Sequence, residues 1–409
     1  MKTMFYMLLA AVLLSVSFMR IRSCFIVVLA TLLATSLVAM SCHTTHRETY
    51  PVDVTIRPLE SIVIQDEAAF TSYIDTLEII PILNEKGETL YDIQKAILYE
   101  RMFVILSGGA LYSYEWEKNA IQPYGSFGRG PGEYTSIVDF CIDRLNNKLL
   151  CLVFPPAILK YDLDTHDYEG RIDISDDIVN PSGIFPSSEG GVFLYVANPL
   201  DVGRESLKQD FYCFKKIDAR GKLQEESLLW TDFNLTGITI PVFCTGGTTY
   251  SLSTGNLHTV SPVFKNGDLD RTYLIDFDDK TLPYRYAYKD NADPWASIGD
   301  IFQEDYYKHL SSLSPLNHGV FFSAFGGNSQ LWHFYKSAAY SIRWASVPIA
   351  TAPMKAVTAD STHIYFMYED YGLIPPQEEK DPLKKFVLDK FGLPENKETS
   401  VFLKLKFTE

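Results

Sequence analysis

Ile137-Val-Asp-Phe-Cys-Ile-Asp143, Leu149-Leu-Cys-Leu-Val-Phe154 and Ile158-Leu-Lys-Tyr-Asp-Leu163 follow one another closely. Only the polar stretch Arg144–Lys148 and the pair Pro155-Pro156 separate them. Short aliphatic and aromatic runs bounded by Asn, Asp and Pro are strand signals, and none of the three is long enough for an ordinary helix. They read as three antiparallel strands of one small sheet.

The same texture extends in both directions. Asp92–Leu98, Met102–Ser107 and Leu111–Trp116 form an earlier group, with turns at Tyr99-Glu-Arg101 and Ser107-Gly-Gly109. Later groups hold Gly191–Val196 with Phe211–Ile217, then Pro241–Thr245, Thr249–Leu252, His258–Val263 and Thr272–Phe277. Gly319–Phe325 with Leu331–Tyr335 follow, and Lys355–Ala359, Ile364–Tyr368 and Val401–Phe407 close the chain. Small sheets recurring at roughly even spacing are the mark of a propeller, whose blades bury their faces on each other. About 360 residues beyond the N-terminal segment, at ~60 per blade, predict an all-β, six-bladed β-propeller in one domain over residues 53–409. A β-sandwich needs fewer strands and leaves the repeat unexplained.

Two stretches break the rhythm. Pro283–Leu316 reads as an inserted loop with one helical turn around Ile301–Lys308, and Gly372–Lys397 as an excursion with a short helix over Asp381–Phe391. Long connections that leave a propeller on one face are where function concentrates.

The N-terminus carries an address. Apolar runs Met4–Met19 and Cys24–Met40 flank the basic island Arg20-Ile-Arg22. Counted from Met19, a basic start, an apolar stretch and small residues at the end have the layout of a signal peptide within residues 1–41. A two-pass hairpin is the rival, but each run falls short of the ~20 residues a spanning helix needs. Ala39-Met40-Ser41-Cys42 resembles a bacterial lipobox, with Cys42 as the lipid attachment and residues 42–52 as a tethered linker. Met40 and Ala39 depart from the usual lipobox residues.

Composition narrows the partners. The chain has 409 residues and a formal net charge of −15. Loss of residues 1–41 removes Lys2, Arg20 and Arg22, which takes the mature chain to about −18. That charge repels phosphate backbones, so nucleic acid is not expected as a partner. Beyond Cys42 the cysteines are Cys141, Cys151, Cys213 and Cys244, without the spacing of a zinc site. A hairpin centred on Asn146 would set Cys141 and Cys151 across from one another, where a disulfide is allowed and free thiols are favoured.

Gly125-Ser-Phe-Gly-Arg-Gly-Pro-Gly-Glu-Tyr134, followed by Ile137–Asp143, resembles the signature of the six-bladed β-propeller lipoproteins of Gram-negative envelopes, relatives of the NHL-repeat propellers. The resemblance covers about residues 70–175. It implies that the glycine-rich loop ends the first blade and opens the second, and that Leu77–Ile82 belongs to the first blade. It also implies an outer-membrane lipoprotein. Cys42 is followed by no acidic run, so the periplasmic and surface faces both stay open. On the loop, Arg129 and Glu133 either pair locally or offer a hook to a ligand at the channel mouth.

Catalytic signatures are scarce. There is no G-x-S-x-G elbow, H-E-x-x-H helix or P-loop. Asp162-Leu-Asp-Thr-His-Asp167 starts like a calcium loop but lacks its glycine and glutamate, and reads as a turn between outer strands. In Leu331-Trp-His-Phe-Tyr335, alternation puts Trp332 and Phe334 on one face and His333 with Tyr335 on the other. His333 is expected as a hydrogen-bonded strand residue, and with Tyr335 as a candidate ligand contact. No metal or cofactor is expected. The residues thus describe an envelope-anchored, non-catalytic binding or scaffold propeller for a peptide, glycan or partner protein. The alternative is a propeller-type hydrolase or lyase with a metal in its central channel.

Overall fold

A computed structural model describes residues 52–58, 61–64, 72–187, 191–196, 212–229, 242–245, 249–252, 260–265, 268–280, 307–326, 329–337, 340–348, 354–370 and 399–408. They belong to a compact unit running from Pro51 to Glu409. Its first strands, β1 (Val54–Ile56), β2 (Ile62–Ile64) and β3 (Ile74–Pro81), do not build the first blade. Blade 1 is β4 (Ile93–Tyr99), β5 (Met102–Ser107), β6 (Ala110–Glu115) and β7 (Ala120–Tyr124). The short strands β8 (Ser126–Phe127) and β9 (Glu133–Tyr134) lead into blade 2: β10 (Ile137–Asp143), β11 (Lys148–Val153), β12 (Ala157–Asp162) and β13 (Tyr168–Asp173). Blade 3 is β14 (Pro181–Pro186), β15 (Val192–Val196), β16 (Tyr212–Ile217) and β17 (Leu223–Leu229).

Blade 4 is β18 (Val242–Thr245), β19 (Thr249–Leu252), β20 (Val260–Lys265) and β21 (Asp268–Ile275). Blade 5 is β22 (Tyr307–Leu316), β23 (Gly319–Gly326), β24 (Ser329–Ser337) and β25 (Tyr340–Pro348). Blade 6 takes β26 (Met354–Ala359), β27 (Ile364–Asp370) and β28 (Thr399–Phe407), and is completed by β3 against β28. The N-terminal chain therefore closes the ring on the last blade. On the way it adds β1 as a fifth, parallel strand to blade 4 and β2 to blade 5.

Six four-stranded sheets match the expected architecture, with three corrections. Leu77–Ile80, expected in blade 1, is the outer strand of blade 6. Tyr307–Leu316, expected inside a loop, is the innermost strand of blade 5; residues 283–306 and the helix expected over 381–391 lie outside the described residues. The Cys141–Cys151 facing pair is also overturned. Cys141 pairs with Leu150 and Cys151 with Phe140, because Asp143 and Lys148 close a four-residue loop. One residue of register sends the two thiols to opposite faces of the sheet. Both are buried and free, and burial raises both thiols above their ordinary pKa.

The core lies between blades. Phe103 of blade 1 stacks on Phe402 of blade 6 at 4.2 Å, and Phe334 of blade 5 on Phe407 of blade 6 at 4.4 Å. Phe185 of blade 3 meets Tyr250 of blade 4 edge-on at 5.3 Å. Aromatic side chains suit this position, since each fills the wedge between two twisted sheets and adds an oriented ring contact.

Strand alternation also fixes the two ends of the axis. First-to-second and third-to-fourth connections fall at what we call the lower end. They are tight, as at Glu100-Arg101 and Asp360–His363. Second-to-third and blade-to-blade connections fall at the upper end, where the innermost strands begin. The described strands before and after residues 197–211, 230–241, 281–306 and 371–398 end and resume there.

Candidate functional site

The innermost strands of blades 1, 2 and 3 share a device at the upper end. Each is bulged at its second residue, between Ile93 and Lys95, Ile137 and Asp139, and Pro181 and Gly183. A bulge swings the following side chain out of the alternation that the strand would impose. It places Lys95, Asp139 and Gly183 at equivalent positions. Lys95 Nζ lies 2.6 Å from Asp139 Oδ1 and donates to the Phe140 carbonyl at 2.8 Å. Asp139 Oδ2 accepts the Ile184 N–H at 3.0 Å, and the ammonium sits 5.0 Å from the Phe140 ring centroid. At Gly183 the tight approach is to blade 3 itself: a Cβ there would stand 3.2 Å from the Tyr195 Cβ, while Asp139 Oδ2 would be in ordinary contact at 3.6 Å. From blade 6, Lys355 donates to the Ile93 carbonyl at 2.7 Å while remaining exposed.

Beneath this layer the innermost strands of blades 1, 4, 5 and 6 touch one another. β18 of blade 4 pairs directly with β26 of blade 6, Cys244 opposite Thr358 and Thr245 opposite Ala359, although blade 5 stands between them in sequence. Thr358 Oγ1 donates to the Cys244 carbonyl at 3.0 Å and receives the Leu98 N–H of blade 1 at 3.4 Å. Thr245 and Ser314 hydroxyls bond at 2.7 Å between blades 4 and 5. Among the described residues, no three His, Cys, Asp or Glu side chains converge as a metal set.

The residues picked out from the sequence fall in two separate places. Glu133 folds back onto its own loop and accepts the Gly130 N–H at 2.6 Å, so it is a local cap. Arg129 is exposed, with no carboxylate at ion-pair distance among the described residues. The loop is a wedge between blades 1 and 2. Tyr134 Oη receives the Leu111 N–H at 3.4 Å, Tyr161 Oη donates to the Gly132 carbonyl at 2.9 Å, and Gly128 N–H donates to the Tyr134 carbonyl at 3.0 Å.

His333 lies in the third strand of blade 5, fully buried, with Nε2 3.0 Å from Ser61 Oγ and 2.9 Å from Ser341 Oγ. Its ring packs on Phe322 at 4.6 Å. It staples the N-terminal strap to blade 5. Tyr335 is half-buried beside the blade 4–blade 5 core, whereas Trp332 and Phe334 face blade 6, as alternation required.

Sequence reasoning passed over Lys95, Asp139 and Lys355. Their signal was present: each is a charge inside an otherwise apolar strand, near its first residue, in three different repeats. Asp162, read as part of a turn, is one. Its carboxylate receives the Thr165 N–H and the Lys148 ammonium, which together hold its pKa down at about 2.

Comparison with known proteins gives the fold independently. A solved structure of a Bacteroides fragilis NCTC 9343 protein, provisionally described as exported, superposes with a TM-score of 0.63 at 13% identity, covering 87% of this chain and 99% of that one. Structures from an analysis of two prolyl endopeptidases (TM-score 0.37, 10% identity, 69% of this chain and 47% of that one) and of a mitotic checkpoint complex (0.35, 7%, 73% and 78%) are too distant to carry an argument. No curated protein matches the sequence. A family profile described as "6-bladed beta-propeller" matches residues 61–322, from the strap through the second strand of blade 5, and the chain belongs to that family.

Proposed function

We propose that this protein is an envelope-anchored, non-catalytic propeller that binds a peptide, glycan or partner protein at the upper end of its axis. Cys42, acylated after removal of residues 1–41, tethers it to the outer membrane. The observation that carries this reading is the contrast between the two ends. The connections at the lower end are short in sequence, whereas the described strands before and after residues 197–211, 230–241, 281–306 and 371–398 end and resume at the end that bears Lys95, Asp139 and Lys355. Long connections held on a rigid scaffold are where binding sites gather. An exported neighbour of the same fold favours an extracytoplasmic location. The hydrolase or lyase alternative would need metal ligands converging from several blades, and no such set of His, Cys, Asp or Glu meets among the described residues.

Two measurements test this. Radiolabelled palmitate should enter the wild-type chain and not the Cys42→Ala variant, which should leave the membrane fraction. The detergent-solubilised chain, applied to defined peptide and glycan arrays, should bind a subset of one class. A Lys355→Glu variant should weaken that binding about tenfold or more, as expected for loss of a charged contact. Array binding indifferent to the upper end, or no binding at all, would overturn the reading.

A further inference from the structure

Phe127 is 71% exposed and Phe154 57% exposed, and they are the only exposed phenylalanines among the described residues. A large aromatic side chain held in water loses the gain that burial would bring, so two of them tied to one short stretch call for a reason. They are neighbours through a single three-residue stretch. Phe127 is the strand partner of Tyr134, with rings 6.2 Å apart. Phe154 is bonded to the next two residues: its N–H donates to the Ser136 carbonyl at 3.0 Å, and its carbonyl accepts the Thr135 hydroxyl at 2.8 Å. Val138, the bulged residue of β10, is exposed two positions further on. Arg129 stands two residues from Phe127 on the same loop, exposed and unmatched by any described carboxylate.

The platform is rigid. The tyrosine bonds that wedge the loop between blades 1 and 2, and the Glu133 cap on Gly130, hold it in one shape. A rigid apolar surface with one cation at its edge loses little freedom when it binds. We infer that Phe127, Phe154, Val138 and Arg129 form a docking surface for an extended peptide segment of a partner protein that presents an aromatic or aliphatic side chain next to a carboxylate. The lone guanidinium chooses the acidic neighbour, since Arg pairs with a carboxylate in bidentate fashion. Phenylalanine faces can also stack on sugar rings, but the guanidinium beside them pairs with a carboxylate, which favours an acidic peptide over a neutral glycan; binding of glycans alone would overturn the inference. A formal charge of about −18 on the mature chain opposes a densely charged anionic bilayer far more than a peptide with a single carboxylate.

This inference rests on the binding reading above and names the class of ligand and the place. The test is a peptide array scanning each aliphatic and aromatic residue with Asp, Asn or Lys beside it, followed by titration of the strongest peptide, with anionic phosphatidylglycerol vesicles as a parallel arm. Peptides with the acid next to the apolar residue should bind, and their Asn counterparts should be at least about tenfold weaker. Phe127→Ala, Phe154→Ala and Arg129→Ala should each weaken binding by a similar factor with an unchanged Tm, and Arg129→Lys should recover part of it. If peptides bind but these variants match wild type, or if only the vesicles bind, the inference falls while the binding reading stands. If peptides and glycans both fail, the binding reading falls with it.

Discussion

At Gly125 a methyl group would stand 2.5 Å from the Gly132 carbonyl oxygen and 2.6 Å from Tyr161 Oη, at a φ of +66°. Backbone cannot step aside as a flexible side chain can, and the left-handed region itself costs a non-glycine residue about 1–2 kcal/mol. Gly125→Ala should therefore lower stability by at least about 2 kcal/mol in urea unfolding, chiefly by loosening the wedge between blades 1 and 2. His166 makes the opposite choice. It holds φ +62° just before its strand resumes, where blades 1 and 3 use Asn119 and Gly221. Its ring packs edge-on against Tyr124 at 4.3 Å. Burial, the leading cause, keeps the imidazole pKa below its ordinary value despite the pull of Glu115, Asp162, Asp164 and Asp167. A lowered folded pKa means that the unfolded chain takes up the proton first as pH falls through about 6.5, so this group costs stability on acidification. His166→Asn, which tolerates the same φ, should show a smaller fall in Tm between about pH 7.5 and 5.5 than wild type. An equal fall would show that His166 does not titrate on unfolding. The turn was legible in Asp162–Asp167, but the demand on its fifth residue was not, because only the closing bond from Asp162 N–H to the Asp167 carbonyl sets it.

Among the elements, the innermost strands carry most of what is specific here. Lys95 and Asp139 are only 15% and 11% exposed, and each completes the other's hydrogen bonding. Removing one partner of such a pair leaves a charge stranded, at a cost of about 3 kcal/mol, while removing both together costs much less. Asp139→Asn and Lys95→Met should each be destabilising by roughly that amount, and the double variant should recover more than half of it. Additive losses in a denaturation cycle would show that the two side chains do not act on each other. Strand existence was readable from run length and turn residues. The bulges were not, since nothing local in Ile93-Gln-Lys95 or Ile137-Val-Asp139 marks an extra residue until a neighbouring strand is paired against it. The same blindness placed Cys141 and Cys151 on one face: a loop centre misjudged by half a residue moves every partner by one.

For the whole molecule, the N-terminal chain decides the closure. Residues 53–58 and 61–64 lie on the outer strands of blades 4 and 5, held by the parallel strands β1 and β2. Asp53 and Thr272 exchange bonds of 2.7 and 2.9 Å, Arg57 pairs with Asp276 at 3.3 Å, and Ser61 meets His333. Ile56 is fully buried in the core between blades 4 and 5. Ile56→Asp puts an unpaired carboxylate there and should release the strap, so that the amides of Val54–Ile56 exchange many times faster. Amides of blades 1 to 3 should keep their exchange protection, because local opening need not reach distant blades. Loss of protection throughout would mean that the strap is part of a single cooperative unit.

What the sequence by itself determined is local: the strands, their repeat and hence six blades, the turn residues, and the alternation that sends Trp332 and Phe334 to one side and His333 to the other. Each of these follows from φ/ψ preference and side-chain period, which act over a few residues. Only the tertiary structure decided that Leu77–Ile80 completes the last blade, that β18 of blade 4 pairs with β26 of blade 6, that Lys95 meets Asp139, and that Phe127 and Phe154 are both tied to residues 134–136. Those depend on contacts between residues tens to hundreds of positions apart, for which a single chain read in order carries no distance.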